Sequence, residues 1–493
     1  MKTRNKPPIN SGMSGNPAND LLGMDEAIAM LKTTRPTFYR WLKTGKLKGM
    51  KVGRQWRFYR NDVEGFLRGE GLRYDLPVGV EPLINALRKQ VGEKESAITS
   101  LSDAEKLELA SELVLRVAIN LKASDIHLDT FQDTGRLRYR VNGVLMQAAG
   151  FDLKLLPALI TRFKVMGKCA VDVHNVPQDC RIQSSAAGNE TDLLMGFLPS
   201  MGGETMNIRL LDRSIANLTL DYLMAGNPLK EKMEAGLASP YGLVVFSGPT
   251  GSGKTMTLYG AVNHLNTPDK KVVSIEDPVE YLMQGVVQVG VNKGIGMTSA
   301  NALRAVLRAD PNIIVVGEIK DAETADLACK AAMTGHLVLS CMHARNTGHV
   351  ITRLKDMGVD PFTLGETLVM VTSQRLVRKV CKDCGAKEAP NARALADARE
   401  AVTTGGLDWK GLGNSYRKQV GCPKCHMTGY KGRAMAMELM KVDKEIAAVI
   451  RGGDAEKVRA RAVARGMVTI EAEAVRLAGE GTTTIAEAQR VMD

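Results

Sequence analysis

The segment that most constrains the fold is GPTGSGKT at residues 248–255, which fits the pattern G-x-x-x-x-G-K-[ST]. An apolar run, Leu243–Ser247, precedes it, and a helical pattern begins near Thr255. Glycines let backbone N–H groups turn towards phosphate oxygens, and a helix N-terminus adds positive potential. The alternative is a chance glycine-rich turn, but the flanking strand and helix favour a phosphate-binding loop. The sequence therefore predicts that a nucleoside triphosphate binds here.

Each residue type in this loop suggests a role. Lys254 should reach the β- and γ-phosphates, and the Thr255 hydroxyl should hold Mg²⁺. The predicted ATP-binding residues are Gly248, Pro249, Thr250, Gly251, Ser252, Gly253, Lys254 and Thr255.

Acidic residues follow two other apolar strands. Ile313–Val316 is followed by Glu318, and Val272–Ile275 by Glu276, Asp277 and Glu280. A carboxylate at the end of a buried strand, beside a phosphate loop, can orient or deprotonate the attacking water. Three acids within five residues repel one another, and a metal or a basic partner would relieve this repulsion. A solvated acidic turn is the alternative for the second group.

The pattern along the chain predicts several domains. Between Pro240 and about Val380, short apolar strands alternate with helical stretches, which is typical of a parallel, doubly wound α/β sheet. A helical segment from about Ala104 and two alternating runs, SDIHLDTF and RLRYRVNGVL, predict a mixed α+β domain before it. Residues 1–20 are rich in Pro, Gly, Asn and Ser, and predict a flexible tail.

No apolar run approaches the roughly 18–20 residues that a spanning helix needs. The N-terminal MKTRNKPPINSG also lacks the apolar stretch of a secretory signal. We therefore expect a cytoplasmic protein whose membrane association, if any, is peripheral.

Four of the eight cysteines form two CxxC pairs, Cys381 with Cys384 and Cys422 with Cys425. Four thiolates at this spacing can close a tetrahedral Zn²⁺ site without an open position, so we expect a structural zinc. A redox CxxC is the alternative. The other four cysteines are scattered along the chain, and we interpret them as buried residues that pack like small hydrophobic side chains.

The segment Leu21–Gly69 holds eleven Lys/Arg and four Asp/Glu, a net charge of +7. It resembles the excisionase-type winged helix-turn-helix, with helices over 25–31 and 36–44 and a hairpin wing over 52–56. In that arrangement Thr37, Arg40 and Lys43 would face the DNA major groove and Arg54 the backbone. The same fold also serves as a protein-docking module, so DNA remains one of two expected partners.

From about Ala104 to Asp493 the chain resembles the ATPases of type II secretion and type IV pilus assembly. The resemblance rests on motifs in the family's order: ASDIHLDTF, GRLRYRVNGVL, PQDCRI, IRLLD, SGPTGSGKT, SIEDPVEY, LRADPNIIVVGEIKDAETA, TGHLVLSCMHA, RLKDMGVDPF and QRLVRKVCKDC. It implies a RecA-like ATPase domain preceded by a PAS-like α+β domain, a homohexamer, and an inner-membrane platform protein as partner. From the sequence pattern and both resemblances we predict the following domains: a helix-turn-helix at 21–70, a linker at 71–103, the α+β domain at 104–215, the ATPase domain at 216–380, a zinc module at 381–430 and a helical region at 431–493.

The family's functional residues map onto this chain by position. Glu318 matches the catalytic glutamate, Glu276 and Glu280 the acidic box, and His336 and His343 the histidine box, with His343 expected to sense phosphate. Either histidine could instead be structural. Basic residues that match family positions, some of which should neutralise phosphate charge, are Arg138, Arg140, Arg209, Arg304 and Arg308.

The chain departs from the family at Ser185 and Leu194, where arginines are expected. Such arginines stabilise transferred phosphate charge, so their absence bears on the hydrolysis rate and not on nucleotide binding. A rival function is therefore a DNA-binding regulator or adaptor that uses an ATPase-like body as a nucleotide-sensitive scaffold. Glu318 and the intact phosphate loop favour the ATPase motor.

Overall fold

The computed structural model describes residues 21–43, 47, 49–53, 55–67, 76, 78–93, 98, 100–184, 191–212 and 218–492. The predictions for residues 1–20, for Arg54 and Ser185, and for the side chain of Lys43 concern positions outside this description. The chain divides into two compact units, Met1–Asp212 and Arg213–Asp493.

The first unit begins with a small three-stranded antiparallel sheet and three helices. Its elements are β1 (Leu21–Gly23), α1 (Met24–Met30), α2 (Arg35–Lys43), β2 (Met50–Val52), β3 (Gln55–Tyr59) and α3 (Arg60–Leu67), with strand order β1-β3-β2. Phe38 and Phe58 are fully buried and meet edge to face, with ring centroids 5.1 Å apart. The two predicted helices and the hairpin wing are present.

The rest of the first unit is a six-stranded antiparallel sheet with helices packed on one face. The elements are α4 (Glu81–Val91), α5 (Asp103–Asn120), β4 (Asp125–Phe131), β5 (Thr134–Val141), β6 (Val144–Asp152), α6 (Leu156–Gly167), β7 (Gln178–Ser184), β8 (Thr191–Ser200) and β9 (Gly203–Asp212), in strand order β6-β5-β4-β9-β8-β7. Alternation along β5 buries Leu137 and Tyr139 in the core and places Arg136, Arg138 and Arg140 on the other face.

The second unit is an α/β domain around a seven-stranded sheet. Its elements up to the cysteines are α7 (Leu220–Leu223), α8 (Lys230–Leu237), β10 (Gly242–Ser247), α9 (Lys254–Leu265), β11 (Val272–Glu276), β12 (Val286–Gly290), α10 (Ser299–Val306), β13 (Ile313–Val316), α11 (Ala322–Met333), β14 (Leu337–Met342), α12 (Thr347–Asp356), α13 (Pro361–Thr367) and β15 (Leu368–Val380). The cysteine-containing segment and the C-terminal part add β16 (Ala386–Lys387), α14 (Ala392–Thr404), β17 (Arg417–Lys418), β18 (Tyr430–Lys441), α15 (Lys444–Arg451), α16 (Ala455–Ala464), α17 (Ile470–Gly479) and α18 (Ile485–Met492).

The sheet has the order β12-β11-β13-β14-β10-β15-β18, and every pair is parallel except β15 with β18. Strands β10, β13 and β14 are buried along their whole length, as expected for a parallel sheet covered on both faces. The sequence pattern placed only helices after residue 430, but the structure has the twelve-residue strand β18 before the last four helices.

Among the described residues, no helix is both long and apolar enough to cross a lipid bilayer.

Candidate active site

The phosphate loop leaves the carboxyl end of β10 and leads into α9. Three of its glycines have positive φ: +148° at Gly248, +76° at Gly251 and +88° at Gly253. A Cβ on Gly248 would lie 2.5 Å from the main-chain oxygen of Gln374. Glycine is therefore required at Gly248 by both conformation and space. Thr255, half-buried, occupies the first turn of α9.

Lys254 points back over this loop. Its Nζ donates to the carbonyl oxygens of Gly248 at 2.9 Å and Pro249 at 3.0 Å, and lies 3.4 Å from Nδ1 of His343. Burial lowers the pKa of Lys254, because desolvation disfavours the ammonium form. The Lys254 ammonium thus lies between the backbone of the phosphate loop and His343, which follows strand β14.

Glu318 and His343 lie at the same edge of the sheet. Oε1 of Glu318 is 3.2 Å from Nε2 of His343, and Oε2 is 3.3 Å from Nζ of Lys320. Burial, followed by the positive charge of Lys254, lowers the pKa of His343. The structure therefore brings three predicted site residues, Lys254, His343 and Glu318, into one chain of contacts.

His336 is at the opposite end of strand β14. Its Nδ1 is 3.1 Å from the carbonyl oxygen of Ala331, and its own carbonyl accepts from Gly242 at the start of β10. Six strand residues separate the two histidines, a span of about 20 Å. Of the two histidines in the histidine box, only His343 lies beside the phosphate loop.

The acidic residues after β11 have different environments. Glu276 is 6% exposed and accepts hydrogen bonds from Tyr259, from Ser274 at 2.7 Å and from Gln288 at 3.0 Å. Glu280 is half-buried, and Asp277 is exposed, 3.7 Å from Lys293. Three donors compensate the buried charge of Glu276, so hydrogen bonding stabilises this carboxylate. Catalytic roles for Glu276 and Glu280 remain predictions.

The predicted phosphate-neutralising arginines of the first unit pair with aspartates on one face of its sheet. Arg138 lies 2.5 Å from Asp129, while Arg209 and Arg140 lie 3.1 and 3.5 Å from Asp125. Leu194 is the cross-strand partner of Arg209. Contact of Arg138 and Arg209 with a nucleotide bound by the second unit remains a prediction.

The other two arginines lie on and just after α10. Arg304 pairs with Glu323, and Arg308 donates to the Arg304 carbonyl at 3.0 Å. These contacts are local to the second unit.

Sequence reasoning gave no role to Gln374. Its Nε2 donates to the carbonyl oxygen of Ser252 at 2.9 Å, inside the phosphate loop. The signal was available, because Gln374 is the first residue of the QRLVRKVCKDC motif.

The four predicted metal ligands come together after β15. Their sulfur atoms all lie within 4.8 Å of one another, with separations of 3.9 Å for Cys381–Cys422, 3.8 Å for Cys384–Cys425 and 3.7 Å for Cys422–Cys425. A tetrahedral zinc with Zn–S bonds of about 2.3 Å has S···S edges of about 3.8 Å, whereas a disulfide is about 2.05 Å. The cluster therefore has the dimensions of a four-coordinate metal site.

Backbone groups support these ligands. Burial raises the pKa of the Cys425 thiol, but N–H groups of Cys422 and Gly429, both 3.2 Å from its sulfur, outweigh burial and lower the pKa to about 7. Gly421 donates to Cys384 at 3.3 Å, but burial outweighs this donor and raises the pKa of Cys384 to about 12. Donors aimed at sulfur favour the thiolate form that binds metal.

In the helix-turn-helix, α2 presents Tyr39 and Arg40 to solvent, with Thr37 half-buried. Arg35 at the start of the helix is 2.8 Å from Asp25. Two of the predicted DNA-contacting residues, Thr37 and Arg40, thus lie on α2, and Arg40 is exposed.

Comparison with known proteins agrees with this architecture. A family described as Type II/IV secretion system protein matches residues 100–490. The chain belongs to that family. A second family, described as Helix-turn-helix domain, matches residues 21–71. These matches confirm the predicted resemblance in both parts of the chain.

Individual relatives of this secretion family cover most of the chain. Type II secretion system protein E of Pectobacterium carotovorum subsp. carotovorum is 36% identical over 433 residues, 88% of this chain and 84% of that protein. The protein of the same name from Pseudomonas aeruginosa is 38% identical over 406 residues, 82% and 79% of the two chains. A Vibrio cholerae relative, named Type II secretion system ATPase E, is 36% identical over 410 residues, 82% of this chain and 79% of that protein. The prediction that the chain is an ATPase is confirmed.

Two solved structures share the fold. The Legionella pneumophila ATPase DotB has a TM-score of 0.56 at 19% identity, covering 77% of this chain and 94% of DotB. The pilus retraction motor PilT with bound ADP has a TM-score of 0.53 at 23% identity, covering 77% and 96%. The predicted α/β ATPase fold is confirmed.

Proposed function

We propose that this chain is the ATP-hydrolysing subunit of a homohexameric motor. The motor would drive assembly of a type II secretion pseudopilus or a type IV pilus through an inner-membrane platform protein, from a cytoplasmic, peripheral position at that membrane. The observation that supports this best is the chain of contacts Lys254–His343–Glu318 beside the phosphate loop, in a protein related to type II secretion proteins.

In the proposed mechanism the residues of this site divide the work. Lys254 would exchange its loop carbonyls for the β- and γ-phosphates, and the Thr255 hydroxyl would hold Mg²⁺, which would neutralise phosphate charge. Glu318 orients or deprotonates the attacking water, and His343 lies between the two as a sensor of the γ-phosphate. Glu276 and Glu280, the two acidic-box glutamates, place their carboxylates at the same edge of the sheet.

We propose further that Cys381, Cys384, Cys422 and Cys425 hold one structural zinc. The S···S separations of 3.7–3.9 Å and the N–H groups aimed at sulfur support this assignment. The ion would close the module and take no part in ATP chemistry.

ATP turnover and ATP-analogue binding of the full chain test the site. We expect Lys254→Ala to lose binding, because Lys254 contacts phosphate in the ground state. Glu318→Gln should keep binding and lose turnover by about 10²–10⁴-fold, because Glu318 acts on the water. Lys330→Ala and Glu366→Gln are matched surface controls that should behave as the wild type. Full turnover by Glu318→Gln would remove this glutamate from the mechanism.

The assembly is tested separately. Mass measurement in solution with a non-hydrolysable ATP analogue should give six copies. Co-purification with the platform protein encoded by the same organism should depend on intact Lys254. A monomer under all nucleotide conditions would contradict the motor.

A second function is favoured by the N-terminal domain, with its exposed helix α2, its β2–β3 wing and its net charge of +7 between Leu21 and Gly69. We propose that this domain brings the ATPase to DNA or, as an adaptor, to a protein. Gel shifts of the full chain at two salt concentrations separate the two. DNA contact predicts affinity that falls steeply with salt and is weakened by Arg40→Ala and Arg54→Ala. Deleting residues 1–70 should abolish DNA binding and spare ATP turnover, and no binding at low salt would leave the adaptor role.

A further inference from the structure

Gln374 lies where β15 passes beneath the phosphate loop. Ser247, the last residue of β10, pairs with Ser373, so Gln374 is the first residue of β15 beyond the end of β10. Its side chain is buried, and the whole residue is 1% exposed. A buried amide at this point faces the loop and not solvent.

The contacts of Gln374 reach both ends of the loop. Its Nε2 donates to Ser252 O at 2.9 Å, and a Cβ on Gly253 would lie 3.3 Å from the same Nε2. At the other end, a Cβ on Gly248 would lie 2.5 Å from Gln374 O. The loop therefore packs directly against Gln374, and a bulkier residue at Gly248 or Gly253 would push the loop away from Gln374.

Two buried polar atoms at this contact have no hydrogen-bond partner among the described residues: Oε1 of Gln374 and Oγ of Ser252. Ser252 is only 3% exposed. Leaving a buried polar atom without a hydrogen-bond partner is unfavourable. The amide and the hydroxyl thus retain hydrogen-bonding capacity that a phosphate-bound arrangement of the loop can use.

The neighbouring residues of β15 hold the segment that follows His343. Oγ of Ser373 and Nη2 of Arg375 donate to the carbonyl oxygen of Arg345 at 3.2 and 2.9 Å. Consecutive residues of one strand therefore fix the phosphate loop on one side and the His343 segment on the other. His343, two residues before Arg345, lies 3.4 Å from Lys254.

We propose that Gln374 is a positioning residue for ATP binding. Its amide fixes the Ser252–Gly253 peptide so that the N–H groups of the loop face the phosphates. The inference rests on the proposed nucleotide site. Gln374 touches no reacting atom, so its loss weakens ground and transition states alike. That pattern raises KM and leaves kcat unchanged.

The first test compares Gln374→Met with Thr372→Val in the full chain. Both substitutions remove a buried polar group from β15 at similar volume, but only Gln374 contacts the loop; the Thr372 hydroxyl has no partner among the described residues. We expect Gln374→Met to raise KM for ATP and Kd for a non-hydrolysable analogue by about tenfold, with kcat within twofold, while Thr372→Val matches the wild type.

The outcomes separate this inference from the site itself. If Lys254→Ala binds the analogue as tightly as the wild type, the proposed nucleotide site fails. If Lys254→Ala loses binding while Gln374→Met stays within twofold of the wild type, the role of Gln374 alone is overturned. Equal losses in Gln374→Met and Thr372→Val would also overturn it, because a general packing defect would then explain both.

Gln374→Glu adds a test within a single protein. Burial raises the pKa of a carboxyl, and the protonated acid can donate to Ser252 O as the amide does, whereas the carboxylate repels that oxygen. The Kd of Gln374→Glu, relative to the wild type at the same pH, should therefore fall about tenfold from pH 8 to pH 5.5. A ratio that is independent of pH would contradict the proposal.

Discussion

The Lys254–His343–Glu318 site and the four-cysteine cluster are built on strands of one sheet, and they use their polar atoms differently. In the nucleotide site the contacts between side chains are 3.2–3.4 Å long and join residues that can exchange partners. In the cluster, the four sulfurs lie within 4.8 Å of one another, and those of Cys384 and Cys425 accept hydrogen bonds from backbone N–H groups. The first arrangement suits a ligand that comes and goes, and the second suits one that stays.

Removing a cysteine should have the largest effect. Cys425→Ser should reduce zinc from one ion per chain to nearly none and destabilise the module by several kcal/mol, because binding energy of a structural metal is folding energy. Elemental analysis and thermal unfolding of the purified chain measure both. Cys329→Ala, a buried thiol elsewhere in this unit, should keep the metal. Full zinc content in Cys425→Ser would show that the cluster is not closed in the way proposed.

We expect the second-largest effect from the ion pairs of Glu487. Glu487 on α18 is 2% exposed and accepts from Arg378 at 2.6 Å and Arg490 at 3.1 Å. Burial raises the pKa of Glu487, but these arginines outweigh it and lower the pKa to about 2. The stabilisation is therefore present above the usual pKa near 4.5 and is lost as pH falls through about 2.

Glu487→Gln should accordingly cost about 2–3 kcal/mol at pH 7, and this gap from the wild type should narrow between pH 4.5 and pH 2. Denaturant titrations at several pH values measure it. Glu480→Gln, at an exposed partner of Arg476, is the matched control and should cost well under 1 kcal/mol. A gap that is as large at pH 2.5 as at pH 7 would show that the ion pair is not its source.

The smallest effect is expected at the open site, from the pair of histidines. His343→Ala should lower kcat by about tenfold, because His343 contacts both Lys254 and Glu318, whereas His336→Ala should stay within twofold. Steady-state turnover at saturating ATP measures both. Equal effects of the two substitutions on kcat would contradict the assignment of His343, and not His336, to the nucleotide site.

Local sequence was sufficient to predict that residues 248–255 join a strand to a helix and that the two cysteine pairs come together, because each motif has its own residue types and spacing. Strand β18 was missed because AMAMELMK consists largely of good helix formers, and pairing with β15 overrides that preference. The separation of His336 from His343 follows from strand length and could have been predicted. The network around Glu276 could not, because Tyr259 and Gln288 come from distant positions.

Strand β15 connects the phosphate loop of the second unit to its cysteine cluster. From Gln374 at the phosphate loop to Val380 before the first cysteine, its residues pair with β18, except at Lys379, where the register shifts. A strand cannot slip by one residue without turning every side chain to the opposite face. Pairing with β18 therefore fixes the distance along β15 between the phosphate loop and the cysteine cluster.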